Sequence, residues 1–307
     1  MRYALYRFFA NGIKKIPPRA LYAFARCLGG LFWYCIPSRR RLATEALQKH
    51  LRLSPAEAER IARQSFKENF QSFFEIFHVA EFFTYKSVSV FHSPESIAVL
   101  QADDAPIVIA TAHLGAWELM PGLATDLLSD REGMVIVRKQ KDPALNRVIS
   151  EMRSARGMLS IDHRQASQIV LPKLRAKGVA AFLVDHNCNR NEAVFLPFLE
   201  DIAAVNAGPA HLALRTKASV YPVFLLRDGK GSHILHILAP LRTADLTGTL
   251  QERLREIARF YTDAVASMVR QYPEQWFWMH QRWKTREKKQ KTGPSPEKKG
   301  GEPAGGE

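Results

Sequence analysis

Apolar positions change their spacing twice along this chain, and the changes divide it into three stretches. Phenylalanines at 66, 70, 73, 74 and 77 fall three or four residues apart, the period of one helix face. Upstream, Ser54-Pro55-Ala56-Glu57 supplies an N-cap serine, a proline for the first helical position and a glutamate placed for a capping box. The spacing therefore predicts a helix that starts at Ser54 and runs through Phe77 with one apolar stripe. Beyond Pro94 the texture becomes short apolar runs alternating with helical patterns: 106–112, 134–137, 179–184, 220–226 and 233–238, with a charged amphipathic helix over 250–270. Such alternation predicts an α/β fold, a central, mostly parallel sheet flanked by helices. After Arg286 the chain is rich in Lys, Glu, Gly and Pro and has no aromatic residue, which reads as a disordered tail.

Ahead of Ser54 lies an apolar run from Ala20 to Ser38, interrupted only by Arg26 and followed by Arg39-Arg40-Arg41. Its length suits a bilayer span if Arg26 snorkels to the interface. No small-residue cleavage site follows it, which argues against a cleaved signal peptide. Cations flank it on both sides, Lys14, Lys15 and Arg19 before and Arg39 to Arg41 after, and this fits a segment dipping into one anionic leaflet. A spanning helix and a buried soluble helix are the alternatives. The chain thus divides into an N-terminal helical, membrane-associating region over 1–92, an α/β domain over 93–286 and a basic tail over 287–307.

Charge narrows the partners. Lys+Arg 44 against Asp+Glu 30 leaves a formal charge of +14, which favours a polyanion: nucleic acid, an anionic leaflet or an acidic carrier protein. Cys27, Cys35 and Cys188 are too few and too scattered for a disulfide framework and read as reduced. A metal site from Asp185, His186 and Cys188 lacks a further ligand cluster, so no metal is assigned. Internal repeats, a G-x-S-x-G elbow, a phosphate-binding P-loop and a dinucleotide-binding glycine turn are all missing from the sequence.

The most informative stretch is A-T-A-H-L-G-A-W-E-L over 110–119, which sets His113 at the end of a predicted strand and Glu118 in the helix that follows. Carboxyl ends of strands are where α/β sheets build sites. A neutral imidazole can take a proton from a hydroxyl as its oxygen attacks a carbonyl, and a carboxylate on the other ring nitrogen fixes the tautomer. Glu118 is placed to supply that carboxylate across a turn eased by Gly115. His113 alone among the 10 histidines has an acid five residues on. A structural histidine is the competing reading. Arg138, closing a strand, is the candidate for the oxyanion of a tetrahedral intermediate, with a solvated basic turn as its alternative. Asp185 and His186 end another strand and project toward the same edge, where they could wall an acceptor.

Taken with N-A-G-P over 206–209, Asn146 after Arg138, and W-M-H-Q-R-W-K-T-R over 278–286, these residues resemble the lipid A biosynthesis (late) acyltransferases of the lysophospholipid acyltransferase superfamily. The resemblance covers about Ala20 to Arg286. It implies transfer of a fatty acyl chain from acyl carrier protein, or from CoA, to a hydroxyl of a lipid A precursor at the cytoplasmic face of the cell inner membrane. His113 and Glu118 would be the catalytic dyad, with Arg138, Asn146, Asp185 and Arg282 as substrate-binding or oxyanion residues. It implies no cofactor beyond the thioester co-substrate, and no nucleic acid is expected, since no binding module of basic residues interleaved with aromatics is visible in the sequence. The phenylalanine stripe then has an acyl chain as an alternative to the core. The chain departs from the family at F-L-E-D-I-A-A-V-N-A-G-P, where a Phe-Gly turn and a Thr are common, and at His186, where Gln is common. These departures bear on the acceptor. A glycerolipid or aminolipid acyltransferase, a non-catalytic membrane protein and a nucleic-acid-binding protein are the rivals.

Overall fold

The computed structural model describes residues 1–80, 90–91, 93–230 and 232–287. Proline opens helix after helix, at the first turn where a missing N–H breaks no bond: α2 (Pro18–Cys35), α3 (Pro37–Leu51) and α4 (Pro55–Glu75) follow α1 (Arg2–Lys14) in this way. The same holds for α5 (Pro94–Ala102), α6 (Met120–Leu127), α7 (Pro143–Arg153) and α9 (Gly208–Thr216); the described residues also form α8 (Ala166–Arg175) and α10 (Leu250–Gln271). Side-chain caps mark the predicted starts, Ser54 accepting from the Glu57 amide and Thr249 forming a full capping box with Glu252.

The strands are β1 (Val90–Phe91), β2 (Ile107–Thr111), β3 (Gly133–Val137), β4 (Leu159–Asp162), β5 (Val179–Leu183), β6 (Ala193–Phe198), β7 (Asp201–Asn206), β8 (Ser219–Arg227), β9 (His233–Ile237) and β10 (Leu241–Arg242). Among the described residues the main sheet runs β1-β9-β8-β2-β5-β3-β4, and β10 pairs with β8. The block β8-β2-β5-β3-β4 is parallel, while β9 and β10 join β8 antiparallel. The mostly parallel sheet flanked by helices is therefore present as the alternation predicted. The hairpin β6-β7 was not visible in the sequence, because its turn carries no Asn-Gly or Asp-Gly signal and instead puts Leu199 at a φ of 55°.

Residues Val108, Ala110 and Phe182 on one sheet face join α8, α9 and α10 in one buried cluster, and Trp33, Leu47, Ile61 and Phe66 of the front-end helices belong to the same cluster. Ile107 and Ile109 on the other face pack with α5, α6 and α7. The helical front end thus shares its core with the sheet.

No helix among the described residues is long and apolar enough to cross a membrane. The run from Ala20 to Ser38 is broken at Ile36 between α2 and α3, and Arg26 does not snorkel: it forms an ion pair with Glu68 of α4. Instead α2 is two-sided. Leu21, Ala25, Gly29 and Trp33 pack inward, while Phe24 and Leu31 are 54% and 56% exposed. Similarly, α1 buries Ala10 and leaves Leu5, Phe8 and Phe9 exposed. Beyond Glu287, the tail expected over 287–307 lies outside the described residues.

Candidate active site

Strand register makes the site. Thr111 of β2 pairs with Leu183 of β5, so the residues two further on, His113 and Asp185, emerge side by side at the carboxyl edge of the sheet. Asp185 Oδ1 lies 2.9 Å from His113 Nδ1, and the His113 backbone N–H donates to Asp185 Oδ2 at 3.0 Å. The Trp276 indole N–H donates to the same Oδ2 at 2.8 Å. The Asp185 side chain is 0% exposed and that of His113 29%, so the pair has a buried acid behind an accessible ring. With Nδ1 committed to Asp185, Nε2 is the nitrogen left for substrate.

Burial works to lower the His113 pKa, but the adjacent Asp185 charge and hydrogen bond outweigh it and leave the imidazole above its ordinary value; Glu118 adds to the rise and Arg153 opposes it. Asp185 moves the other way. Burial alone would raise it, yet His113, His280 and the Trp276 donor hold its carboxyl well below the usual carboxylate range. A carboxylate kept ionised against an imidazole is the arrangement that stabilises the imidazolium formed when a base takes a proton.

The turn carrying His113 is forced by close approach. Gly115 has a φ of 65°, and a Cβ there would stand 2.3 Å from the Leu225 carbonyl oxygen. The next amide, Ala116 N–H, donates to that carbonyl at 2.7 Å. Gly115 is thus required by both conformation and space.

Glu118 does not reach His113's Nδ1, where sequence spacing put it. Its carboxylate takes a two-pronged contact from Arg153 at the end of α7, Nε to Oε2 at 2.9 Å and Nη2 to Oε1 at 2.5 Å. The physical reason is the turn: residues 114–116 are spent pairing with 275–277 and β8, so Glu118, in the short helix Trp117–Leu119, faces α7 while the strand neighbour Asp185 fills the space behind the ring. Glu118 and Arg153 still line the same cavity as His113.

Arg138 is exposed at the end of β3 and lines that cavity too. Asn146 does not line it; its Oδ1 accepts the Gln140 backbone N–H at 3.0 Å, tying down the loop after Arg138. Asp185 lies under the histidine and not on an acceptor wall. Arg282 is 1% exposed, with its Nη1 donating to the carbonyls of Ala204 at 2.6 Å and His186 at 3.2 Å; burial brings its pKa down to about 10. It braces the β5 and β7 ends from inside the core instead of meeting substrate. His280, also in the C-terminal string, has its Nε2 3.2 Å from the Asp185 carbonyl. Arg153 and Trp276 are the site residues that sequence reasoning missed. The one available signal was the parity of His113 and Asp185, each two residues past its strand.

The cavity has a volume of about 1470 Å³, above the roughly 300–1,000 Å³ of a pocket for a drug-sized ligand. It straddles the sheet edge. Ile109, Thr111, Val135 and Ala181 wall it on one face with Met120 and Ala124, and Ile136, Phe182 and Val184 on the other with Leu212 and Leu254. Arg138, Arg215, Arg255 and Lys284, all exposed, stand around its mouth. Among the described residues no group of three or more His, Cys, Asp or Glu is placed to hold a metal.

Residues 1–285 match the family described as bacterial lipid A biosynthesis acyltransferase. The chain is also similar to a lipid A biosynthesis lauroyltransferase of Escherichia coli (strain K12), 26% identical over 201 residues. That match covers 62% of this chain and spans 60% of the relative's length.

Proposed function

The chain belongs to the bacterial lipid A biosynthesis acyltransferase family, and from that premise we propose that it moves a fatty acyl chain from a thioester to a hydroxyl of a lipid A precursor or related glycolipid. The observation that carries the reading is the accessible His113 ring, backed by buried Asp185 and opening onto a large apolar cavity with a basic mouth. His113 Nε2 takes the proton of the acceptor hydroxyl as its oxygen attacks the thioester carbonyl carbon. The C=O electron pair becomes an oxyanion, for which Arg153 and Arg138 are the cations at hand. The oxyanion then collapses, the C–S bond breaks, and the thiolate leaves with the proton held by His113. An ester forms and a thiol is released, so the reaction needs no cofactor beyond the thioester itself.

Acyl carrier protein is the proposed donor partner, because an acidic protein complements a +14 chain with exposed cations around the cavity mouth. The same cations suit the phosphates of an anionic glycolipid acceptor. Exposed Leu5, Phe8 and Phe9 of α1 and Phe24 and Leu31 of α2 support docking on a lipid surface, in the family's setting the cytoplasmic face of the inner membrane.

Purified protein and His113→Ala, incubated with acyl carrier protein and CoA thioesters of several lengths and an under-acylated lipid A precursor, test the reading by acceptor mass. A gain of one acyl chain that depends on His113 is expected. No gain with any donor, followed by a gain on a lysophospholipid or aminolipid acceptor, would overturn the lipid A assignment.

A further inference from the structure

One side of α4 is polar yet buried. Ser65, Asn69, Ser72 and Glu75 are each 0% exposed, and Glu68 is 7%. A helix of this length, lying against an apolar core, would ordinarily present apolar side chains there, as its phenylalanine spacing suggested. Buried polar groups persist where their hydrogen bonds are made, so the partners show what this face is for.

Among those partners are the turn that carries His113 and the segment whose indole holds Asp185. Ser72 Oγ lies 2.7 Å from the carbonyl oxygen of Gly115, two residues beyond His113. Ser65 Oγ donates to the Trp276 carbonyl at 2.6 Å and Asn69 Nδ2 donates to it at 3.2 Å, and Trp276 is the residue whose indole holds Asp185. The two segments also grip each other, Gly115 N–H donating to the Gln275 carbonyl at 3.2 Å and Phe277 N–H to the His113 carbonyl at 3.0 Å.

Arg227 directs the Ser72 hydroxyl. Its Nη2 donates to Ser72 Oγ at 2.8 Å, occupying a lone pair and leaving the single O–H for a carbonyl; Gly115 at 2.7 Å is nearer than the in-helix alternative, Glu68 at 3.0 Å. The guanidinium is itself held by Glu75, with Nε to Oε1 at 3.0 Å and Nη2 to Oε2 at 2.6 Å, and by Glu68 at 3.2 Å. Gln275 accepts from the Arg227 backbone N–H at 3.0 Å and donates to its carbonyl at 2.8 Å, closing the circuit back to Trp276.

We infer that Ser72 and Arg227 are positioning residues for the His113–Asp185 pair, acting through Gly115 and Trp276 to fix how the imidazole meets its carboxylate. The inference rests on His113 being the base of the proposed transfer. Fixing reacting groups to a fraction of an ångström is worth large rate factors, and the supporting shell is what does the fixing. The charged and titratable groups around His113 are Asp185 from the β5 end, Glu118 from its own turn and Arg153 from α7, with His186 and His280 on the far side of Asp185. None of them is altered by a change at Ser72.

The test uses full-length protein in detergent as Ser72→Ala, with Ser72→Thr keeping the hydroxyl. It reads kcat, KM for the acyl donor, and the His113 imidazole titration by NMR on histidine-labelled protein, assigned with His113→Ala. Ser72→Ala is expected to lower kcat about 10-fold or more, leave KM within about twofold, and move the titration down toward the ordinary histidine value as the contact with Asp185 loosens. Ser72→Thr is expected to restore kcat and titration together. An unshifted titration in folded Ser72→Ala, whatever its kcat, would overturn the inference. Where Ser72→Ala does not fold, Ser72→Cys, which keeps the shape but offers only a weak S–H donor to the Gly115 carbonyl, is read by the same titration and decides in the same way. A shifted titration in a protein that transfers no acyl group would sustain the positioning and refute the proposed reaction, so the two failures are distinct.

Discussion

His113 takes its carboxylate from Asp185, 72 positions along the chain, and not from Glu118, five positions on. Spacing along one chain can show a residue's neighbours on a helix or across a turn, whereas a contact between parallel strands depends on register, which the turns and the core decide together. His113, Arg138 and Asp185 were legible as strand-end residues and Gly115 as the glycine of the turn. Arg153 was not, because a single arginine on an amphipathic helix carries no mark until its partner's position is known. Glu118 and Arg153 form a pair whose side chains are 9% and 18% exposed. Arg153→Met should therefore destabilise the protein by about 3–5 kcal/mol, because it strands a buried carboxylate. Adding Glu118→Gln should recover part of that loss. Urea unfolding of the single and double variants checks this, and a loss below about 1 kcal/mol for Arg153→Met would show that the pair is solvated.

Helix α4 shows where pattern reading misleads at the scale of an element. Its cap and start were legible from Ser54 to Glu57, and Phe66 does enter the core at 0% exposed. Phe73, on the same expected stripe, is 43% exposed and meets Trp117 and Phe277 in T-shaped contacts beside the histidine. The side that faces the sheet edge is polar because backbone carbonyls there need donors, a demand set by tertiary structure. In α2 the apolar run was legible but its two-sidedness was not, since Ala25, Gly29 and Trp33 read as apolar as Phe24 and Leu31 do. The outward residues of α1 and α2 yield a prediction of their own. Serine at Phe8, Phe9, Phe24 and Leu31 should cut co-sedimentation with anionic vesicles by about 10-fold or more, given about 1.5–3 kcal/mol for each large apolar side chain withdrawn from lipid. Thermal unfolding should stay unchanged, as these positions lie outside the core. Undiminished sedimentation would place the lipid-facing surface elsewhere.

On the scale of the whole molecule, the alternation of apolar runs predicted the parallel sheet, and the sheet in turn sets which strand ends meet. Its edge strand β4 and the β6-β7 hairpin escaped notice because Leu159–Asp162, although it alternates apolar and polar, is only 4 residues long, and the turn around Leu199 carries no turn dipeptide. Buried histidines far apart also give the molecule a common pH response. Burial lowers both His50 and His280 to about 4. The unfolded chain takes up those protons near pH 6.5, so between about 6.5 and 4 it binds more protons than the fold, and stability should fall as the pH drops through that window. His113, with its raised pKa, is charged in both states below about 6.5, so its stabilising contribution is lost only as the pH rises through its folded value. Melting temperatures should decline steadily from pH 7 to 4.5, and a flat profile would mean that these imidazoles protonate without unfolding. If His113 is a base oriented by Asp185, the pH dependence of kcat/KM in the wild type and Asp185→Asn will show it. The base works when neutral, so wild-type activity should rise with pH through a limb lying above the ordinary histidine value of about 6.5. In Asp185→Asn that limb should move to lower pH and the plateau fall by about 10³- to 10⁴-fold. An unchanged limb with an undiminished plateau would mean that Asp185 does not orient the base.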